Sequence, residues 1–391
     1  MKPENLAYFE SFSERSLVEL DAAQQEGIKI AGFYCIFVPV ELIRAAGAIP
    51  VALCGKKQDP VSKAEEVLPV NMCPLIKSSY GYALTNTCPF FDYSDFIIAE
   101  TTCDGKKKMF ELLGQLKPLH MMHLPYAQDH VHALTFWYEE ILRLKSFLEN
   151  RTGNAIRMEE LRFRIGEQNE IRRLFRQIME SYRDNGQPLS GMNLLPVLES
   201  KAFCVNPPDY IRHLKAMSGE LAAIKDSGHA ACGPGAPRIL LTGTPAGRGS
   251  DKVLKLIEES GGVIVCQENC TGIKNVLDLV DEEENDPYMA LAKRYLGLPC
   301  SCMTPNQGRI NRIGELIEDL NIHGVVDLSW QCCHTYNVES YSVRRLVEEK
   351  YGLQFLHVET DYSNSDIEQL KTRVDAFLET VAAGLGANLS W

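Results

Sequence analysis

The stretch IKIAGFYCIFVPVELIRAAGAIPVALC (residues 28–54) reads as one strand–helix–strand unit. IKIAGFYC (28–35) is a short apolar run, as a strand buried on both faces requires. PVELIRAAG (39–47) predicts a helix, and AIPVALC (48–54) a second strand. The alternation continues with a strand at DFIIAETTC (95–103), a helix from about 105 to 116 and a strand at KPLHMMHLP (117–125). Apolar runs separated by helical patterns favour a parallel sheet with helices on its faces.

The same pattern returns late in the chain. RILLTGTP (238–245), GVIVCQENC (262–270), GVVDLSWQCC (324–333) and QFLHVETDY (354–362) predict four more strands with helices between them. Between the two halves, HALTFWYEEILRLKSFLENRTG and MEELRFRIGEQNEIRRLFRQIMESYR carry apolar residues at helical spacing with many charges. GQPLSG (186–191) breaks this helical segment, and PGAP (234–237) ends it as a linker. The expected fold is α/β, with two doubly wound modules, each on a parallel four-stranded sheet. They span residues 1–129 and 234–391, with a helical segment over 130–233.

A chain of 391 residues with 45% apolar and 24% charged residues suits a globular protein of two or three domains. Its net charge of −12 argues against nucleic acid as a main partner, because phosphate binding needs a basic face. MKPENLAYFESFSERSL at the N-terminus has no apolar h-region. No run of about 18 apolar residues is present, so no membrane span is expected and the cytoplasm is the expected compartment. There, 13 cysteines point to metal binding or catalysis rather than disulfides.

Ligands of open parallel sheets bind beyond the carboxyl ends of the strands. Cys35, Cys54 and Cys103 end the first three strands, Cys270 follows a strand of the second module, and Cys332 and Cys333 end another. Cys73, Cys88, Cys300 and Cys302 lie in loops. If the two carboxyl edges face one cleft, most of these thiols converge there. Cys54, Cys204, Cys232 and Cys266 read as buried space-fillers. Cys73, Cys103 and Cys333 neighbour Pro, Asp-Gly and His instead, and Lys77, Lys106, Lys107 and Lys108 could depress thiol pKa values nearby. Structural zinc prefers paired short spacings, whereas these cysteines are scattered, which suits an iron–sulfur cluster held between two domains.

The chain resembles the 2-hydroxyacyl-CoA dehydratase and benzoyl-CoA reductase family, and within it the double-cubane cluster proteins. The resemblance is carried by GFYCIFVPVELIRAAGAIPVALCG, NMCPLIKSSYG, CPFFDYSDFIIAETTCDGKKKMFELL, ENCTG, CSCMTPN and CCHTYNVES. It implies two parallel α/β domains and a [4Fe-4S] cubane on Cys73, Cys103 and Cys333. In the double-cubane branch a second cubane joins through a sulfide, giving an [8Fe-9S] cluster on six cysteines. Cys35, Cys270 and one of Cys300 or Cys302 would complete that set, with Cys302 preferred and Cys88 a further candidate.

The Gly-rich GTPAGRGSDK (243–252) lacks the spacing of a phosphate-binding P-loop, so the chain is not expected to bind ATP. The resemblance implies a separate ATP-hydrolysing reductase with its own [4Fe-4S] cluster, which delivers low-potential electrons to this chain, and a homodimeric assembly. The activity expected is reduction of small molecules. The alternatives are a one-cubane subunit of a 2-hydroxyacyl-CoA dehydratase and a non-catalytic cluster or metal-binding accessory protein. Glu100 and His334 are the candidate proton donors at strand ends. Glu359 and Asp361 read as hydrogen-bonded strand termini, and His120 and His123 as core or surface residues.

Overall fold

The computed structural model describes residues 2–233 and 235–388. Pro234, the first residue of the expected linker, lies outside the described residues. The strands are β1 (Ile30–Phe33), β2 (Ile49–Ala52), β3 (Phe96–Glu100), β4 (Leu119–Met122), β5 (Arg238–Gly243), β6 (Val263–Glu268), β7 (Gly324–Trp330) and β8 (Gln354–Thr360). Each lies inside a run that the sequence marks as strand. They form two four-stranded sheets, ordered β2-β1-β3-β4 and β6-β5-β7-β8, with every pairing parallel.

The inner strands explain themselves. β3, β5 and β7 are buried along their whole length, and their apolar and β-branched residues suit a sheet covered on both faces. The edge strands β4 and β8 are only partly buried and carry His120, His357 and Glu359. In each sheet the chain begins on an inner strand, adds a neighbour on one side and then crosses to the other. This reversal opens a crevice beyond the carboxyl ends of β1 and β3, and another beyond β5 and β7.

The helical segment serves both sheets. Trp137 and Ile141 of the helix Ala133–Thr152 pack with Ala31, Phe96 and Ile98 of the first sheet. Phe175 of the helix Met158–Glu180 and Leu221 of the helix Pro207–Asp226 pack with Leu240, Val263 and Val325 of the second. The chain after β6 also returns to the first sheet, where Leu291, Cys300, Cys302 and Met303 join the same cluster as Ala31 and Ile98. The two crevices are therefore held against each other by packing from both halves. No helix among the described residues is long and apolar enough to cross a membrane.

Candidate functional site

A cavity of about 530 Å³ lies where the two crevices meet, within the size range of small-ligand sites. Eight cysteines line it: Cys35, Cys73, Cys103, Cys270, Cys300, Cys302, Cys332 and Cys333. Each of the six cysteines expected from sequence is among them. All thirteen cysteines of the chain are free thiols.

The topology delivers these thiols. Cys35 follows β1 and Cys103 follows β3, on the two sides of the first reversal. Thr244 and Pro245 follow β5, and Cys332 and Cys333 follow β7, on the two sides of the second. Cys332 has a φ of +62°, an uncommon left-handed conformation that turns the chain sharply before Cys333. Cys270 comes from the edge strand β6, and the Cys300–Cys302 loop arrives across the first sheet's core.

Three thiols share a local device that sequence reasoning missed. Cys73, Cys103 and Cys333 are the N-caps of the helices Pro74–Thr85, Asp104–Leu113 and His334–Arg345. An N-cap places its side chain against the unpaired N–H groups of the first turn, at the positive end of the helix dipole. The Lys106 backbone N–H donates to the Cys103 sulfur at 3.5 Å. Backbone N–H groups of Leu75 and Ile76 favour the Cys73 thiolate, and that of Tyr336 the Cys333 thiolate. The signal was available in Cys-Pro at 73–74, because proline is at home in the first helical turn.

The thiols fall into two electrostatic sets. In the first, Cys73 and Cys333 act on each other, which pushes Cys73 up and Cys333 down, to about 7. Cys103 joins them through Cys333, although burial pushes its own thiol up. In the second, Cys35 feels Cys270 and Cys300, and Cys302 feels Cys300 and Cys35. Burial raises Cys35, and raises Cys270 to about 11. The interaction between the Cys300 and Cys302 side chains lowers Cys300 to about 6 and raises Cys302. Cys300 also raises Cys103 and Cys333, and both Cys300 and Cys302 line the cavity.

Cations accompany these thiols. Lys106 lines the cavity, and burial alone would depress its pKa, but Cys35, Cys54, Cys103 and Glu100 together raise it. Lys107 and Lys108 instead form exposed pairs with Asp104 and Glu111, as a solvated turn does. Lys77 corrects an expectation, because its ammonium is committed to Glu65 at 2.7 Å and the Val70 carbonyl at 2.8 Å. Lys274 was not foreseen. It is fully buried, 3.1 Å from Glu268 and 3.0 Å from the Tyr336 hydroxyl on the cavity wall, and it lowers Cys270 and Cys300.

Of the expected proton donors, Glu100 is fully buried at the end of β3 and neither carboxylate oxygen has a hydrogen-bond partner. Burial pushes its pKa to about 8. His334 lines the cavity at the first position of its helix and is exposed. Asp361 accepts from Ser363, as a strand terminus should, and Glu359 is exposed. His120 packs at a tilt against Phe147 at the far edge of the first sheet. Cys88 caps the helix Pro89–Tyr93 and is not part of the cavity wall. Cys54 donates to the Tyr34 carbonyl and faces a second, adjoining chamber.

The residues fit a polynuclear iron–sulfur group. Soft thiolates suit iron–sulfur clusters, and helix N-termini and buried ammonium groups offset the negative charge such a cluster carries. Among the described residues, no three or more His, Cys, Asp or Glu converge on a single metal-ion position. In a cubane each iron takes one thiolate, so cluster ligands need not converge on one point.

The family model described as 2-hydroxyglutaryl-CoA dehydratase, D-component, matches residues 35–381. YjiM of Escherichia coli (strain K12), which carries the provisional name of a dehydratase subunit, is 41% identical over 377 residues, covering 95% of this chain and 97% of that protein. The (R)-phenyllactyl-CoA dehydratase beta subunit of Clostridium sporogenes is 23% identical over 92% of this chain and 93% of its own. The (R)-2-hydroxyglutaryl-CoA dehydratase subunit beta of Acidaminococcus fermentans is 20% identical over 95% and 98%. The matched span contains each of the eight cavity cysteines, and the chain belongs to the 2-hydroxyglutaryl-CoA dehydratase D-component family.

Proposed function

We propose that this chain is the electron-accepting component of an iron–sulfur reductase and holds an [8Fe-9S] double-cubane cluster in the thiol cavity. The observation that carries this reading is the gathering of eight thiols on one cavity wall, more than a single cubane needs. Cys73, Cys103 and Cys333 would hold one half. Cys35, Cys270 and one of Cys300 or Cys302, which both line the cavity, would hold the other. When bound, such a group supplies single electrons at low potential.

The protein's own residues do the rest. Helix N-termini and Lys106 hold negative charge at the thiols. Lys274 donates to the hydroxyl of Tyr336, a residue of the cavity wall. The exposed His334 on the cavity wall is the group placed to give protons; Glu100, protonated near neutral pH, is not part of that wall. A separate ATP-hydrolysing reductase with a [4Fe-4S] cluster would supply the electrons, to a homodimer in the cytoplasm. The substrate is a small molecule.

A second reading draws support from the relatives named as dehydratase beta subunits. It is a one-cubane subunit that dehydrates a 2-hydroxyacyl-CoA. Iron and acid-labile sulfide per chain, measured on protein purified without oxygen, separate the two. About eight irons, with slightly more sulfide, support the double cubane, and about four support the dehydratase subunit. Zinc without sulfide overturns both.

A further inference from the structure

Behind the thiol cavity lies a second chamber of about 130 Å³. It shares Cys35, Leu75, Lys106, Pro245 and Cys270 with the first, so the two stand back to back. Five cationic side chains, Lys56, Lys106, Arg172, Lys201 and Arg294, line it against one carboxylate, Glu199. Burying charge is costly unless a counter-charge is buried with it.

The nearby carboxylates are already engaged. Glu199 takes Lys56 at 2.8 Å and Arg248 at 3.2 Å. Glu41 takes Arg172 at 2.7 Å and the Tyr295 hydroxyl at 2.6 Å. Asp278 takes Arg312 at 2.8 Å. Arg294, only 7% exposed, is left donating to the backbone carbonyls of Asp278 and Asn275. Lys201 donates to the carbonyls of Leu198 and Thr271. Among the described residues neither has a carboxylate within ion-pair distance. Thr271 and Asn275 belong to one short loop, so the two cations are pinned to the same wall. Half-buried Asn275 adds a side-chain amide whose buried oxygen has no partner, and turning the amide over would present its N–H₂ group instead.

We propose that this chamber binds a small anion, a carboxylate or an inorganic oxyanion, held by Arg294 and Lys201. Charge-assisted hydrogen bonds from a guanidinium and an ammonium are the chemistry that selects such groups. Burial, with Lys56 beside it, pushes the Lys201 ammonium down to about 7, and an anion in the chamber would reverse that. The occupant would lie against Cys35 and Cys270, within electrostatic reach of the thiol cavity.

The test is calorimetric titration of the protein as purified, with inorganic phosphate and with acetate as separate probes, on wild type, Arg294→Gln, Lys201→Gln and Arg294→Lys. The expected result is saturable binding of at least one probe, weakened tenfold or more in both Gln variants and partly retained in Arg294→Lys. The probe that binds names the class. Absence of saturable binding of either probe, or affinities unchanged in the Gln variants, overturns the proposal. If Arg294→Gln does not accumulate, Lys201→Gln decides. Iron per chain is measured alongside, so loss of the cluster is told apart from loss of the anion.

Discussion

Single residues carry the chemistry, and the thiols were the most readable part of the sequence. Their place after apolar runs put Cys35, Cys103, Cys270 and Cys333 at strand ends, where parallel sheets bind ligands. If the two thiol sets hold two cubanes, Cys35→Ser and Cys103→Ser each lose about half the iron, measured by metal analysis under nitrogen. Unchanged iron in Cys103→Ser removes that ligand, and unchanged iron in Cys35→Ser removes the second cubane. Glu100 gives a different test. Its pKa of about 8 lies above that of an unfolded carboxyl, so the folded state keeps a proton that the unfolded chain has lost. Stability therefore falls as pH rises from about 4.5 to about 8, at up to roughly 1.4 kcal/mol per pH unit. Glu100→Gln should flatten that decline in denaturant melts of iron-free protein. The burial behind this shift was hidden in the sequence, because DFIIAETTC shows a strand end but not what covers it.

At the scale of the element, the recurring device is a cysteine that caps a helix. Cys73, Cys103 and Cys333 each stand at the N-cap position, and the Cys103 sulfur takes the place of a capping oxygen by accepting from the Lys106 N–H. The turn after β5 is built on Gly243, whose φ is +106°. An added Cβ there would lie 2.1 Å from the Leu328 carbonyl oxygen on the neighbouring strand. Gly243→Ala should cost at least about 1–3 kcal/mol through backbone strain alone, seen as a lowered thermal midpoint. Because Thr244 and Pro245 follow directly in the cavity wall, the same variant should also hold less iron. The glycine was visible in RILLTGTP, but the opposing carbonyl belongs to a strand some 80 residues away, which the local pattern does not show.

Across the whole molecule, the helical segment is a clamp as well as a spacer. Arg172 of the helix Met158–Glu180 pairs at 2.7 Å with Glu41 of the first module, and both are almost fully buried. Removing one partner of such a pair typically costs about 3–5 kcal/mol, because the other charge stays buried alone. Arg172→Met should fall in that range by chemical denaturation, and adding Glu41→Leu should recover a good part of the loss. If Arg172→Met is neutral, the pair does not hold the segment to the first module. A second buried set, Glu268 with Lys274 and Arg309, supports the wall beside Cys270 in the same way.

The sequence by itself determined the strands, the parallel pairing expected of them, the helical middle and the cysteines at strand ends, while the set of six was what the family resemblance implied. Those features are local: an apolar run, a helical period or a cysteine after a strand announces itself within a few residues. Only the tertiary structure decided that the two sheet reversals face one cavity, that eight cysteines line it together, and that Lys106 and Lys274 lie beside those thiols while Lys77 turns to Glu65. It alone revealed Arg294 and Lys201 on a common chamber wall. The physical reason is that electrostatic partnership depends on distance through space and on burial. Both are set when remote segments pack, after local propensities have done their part.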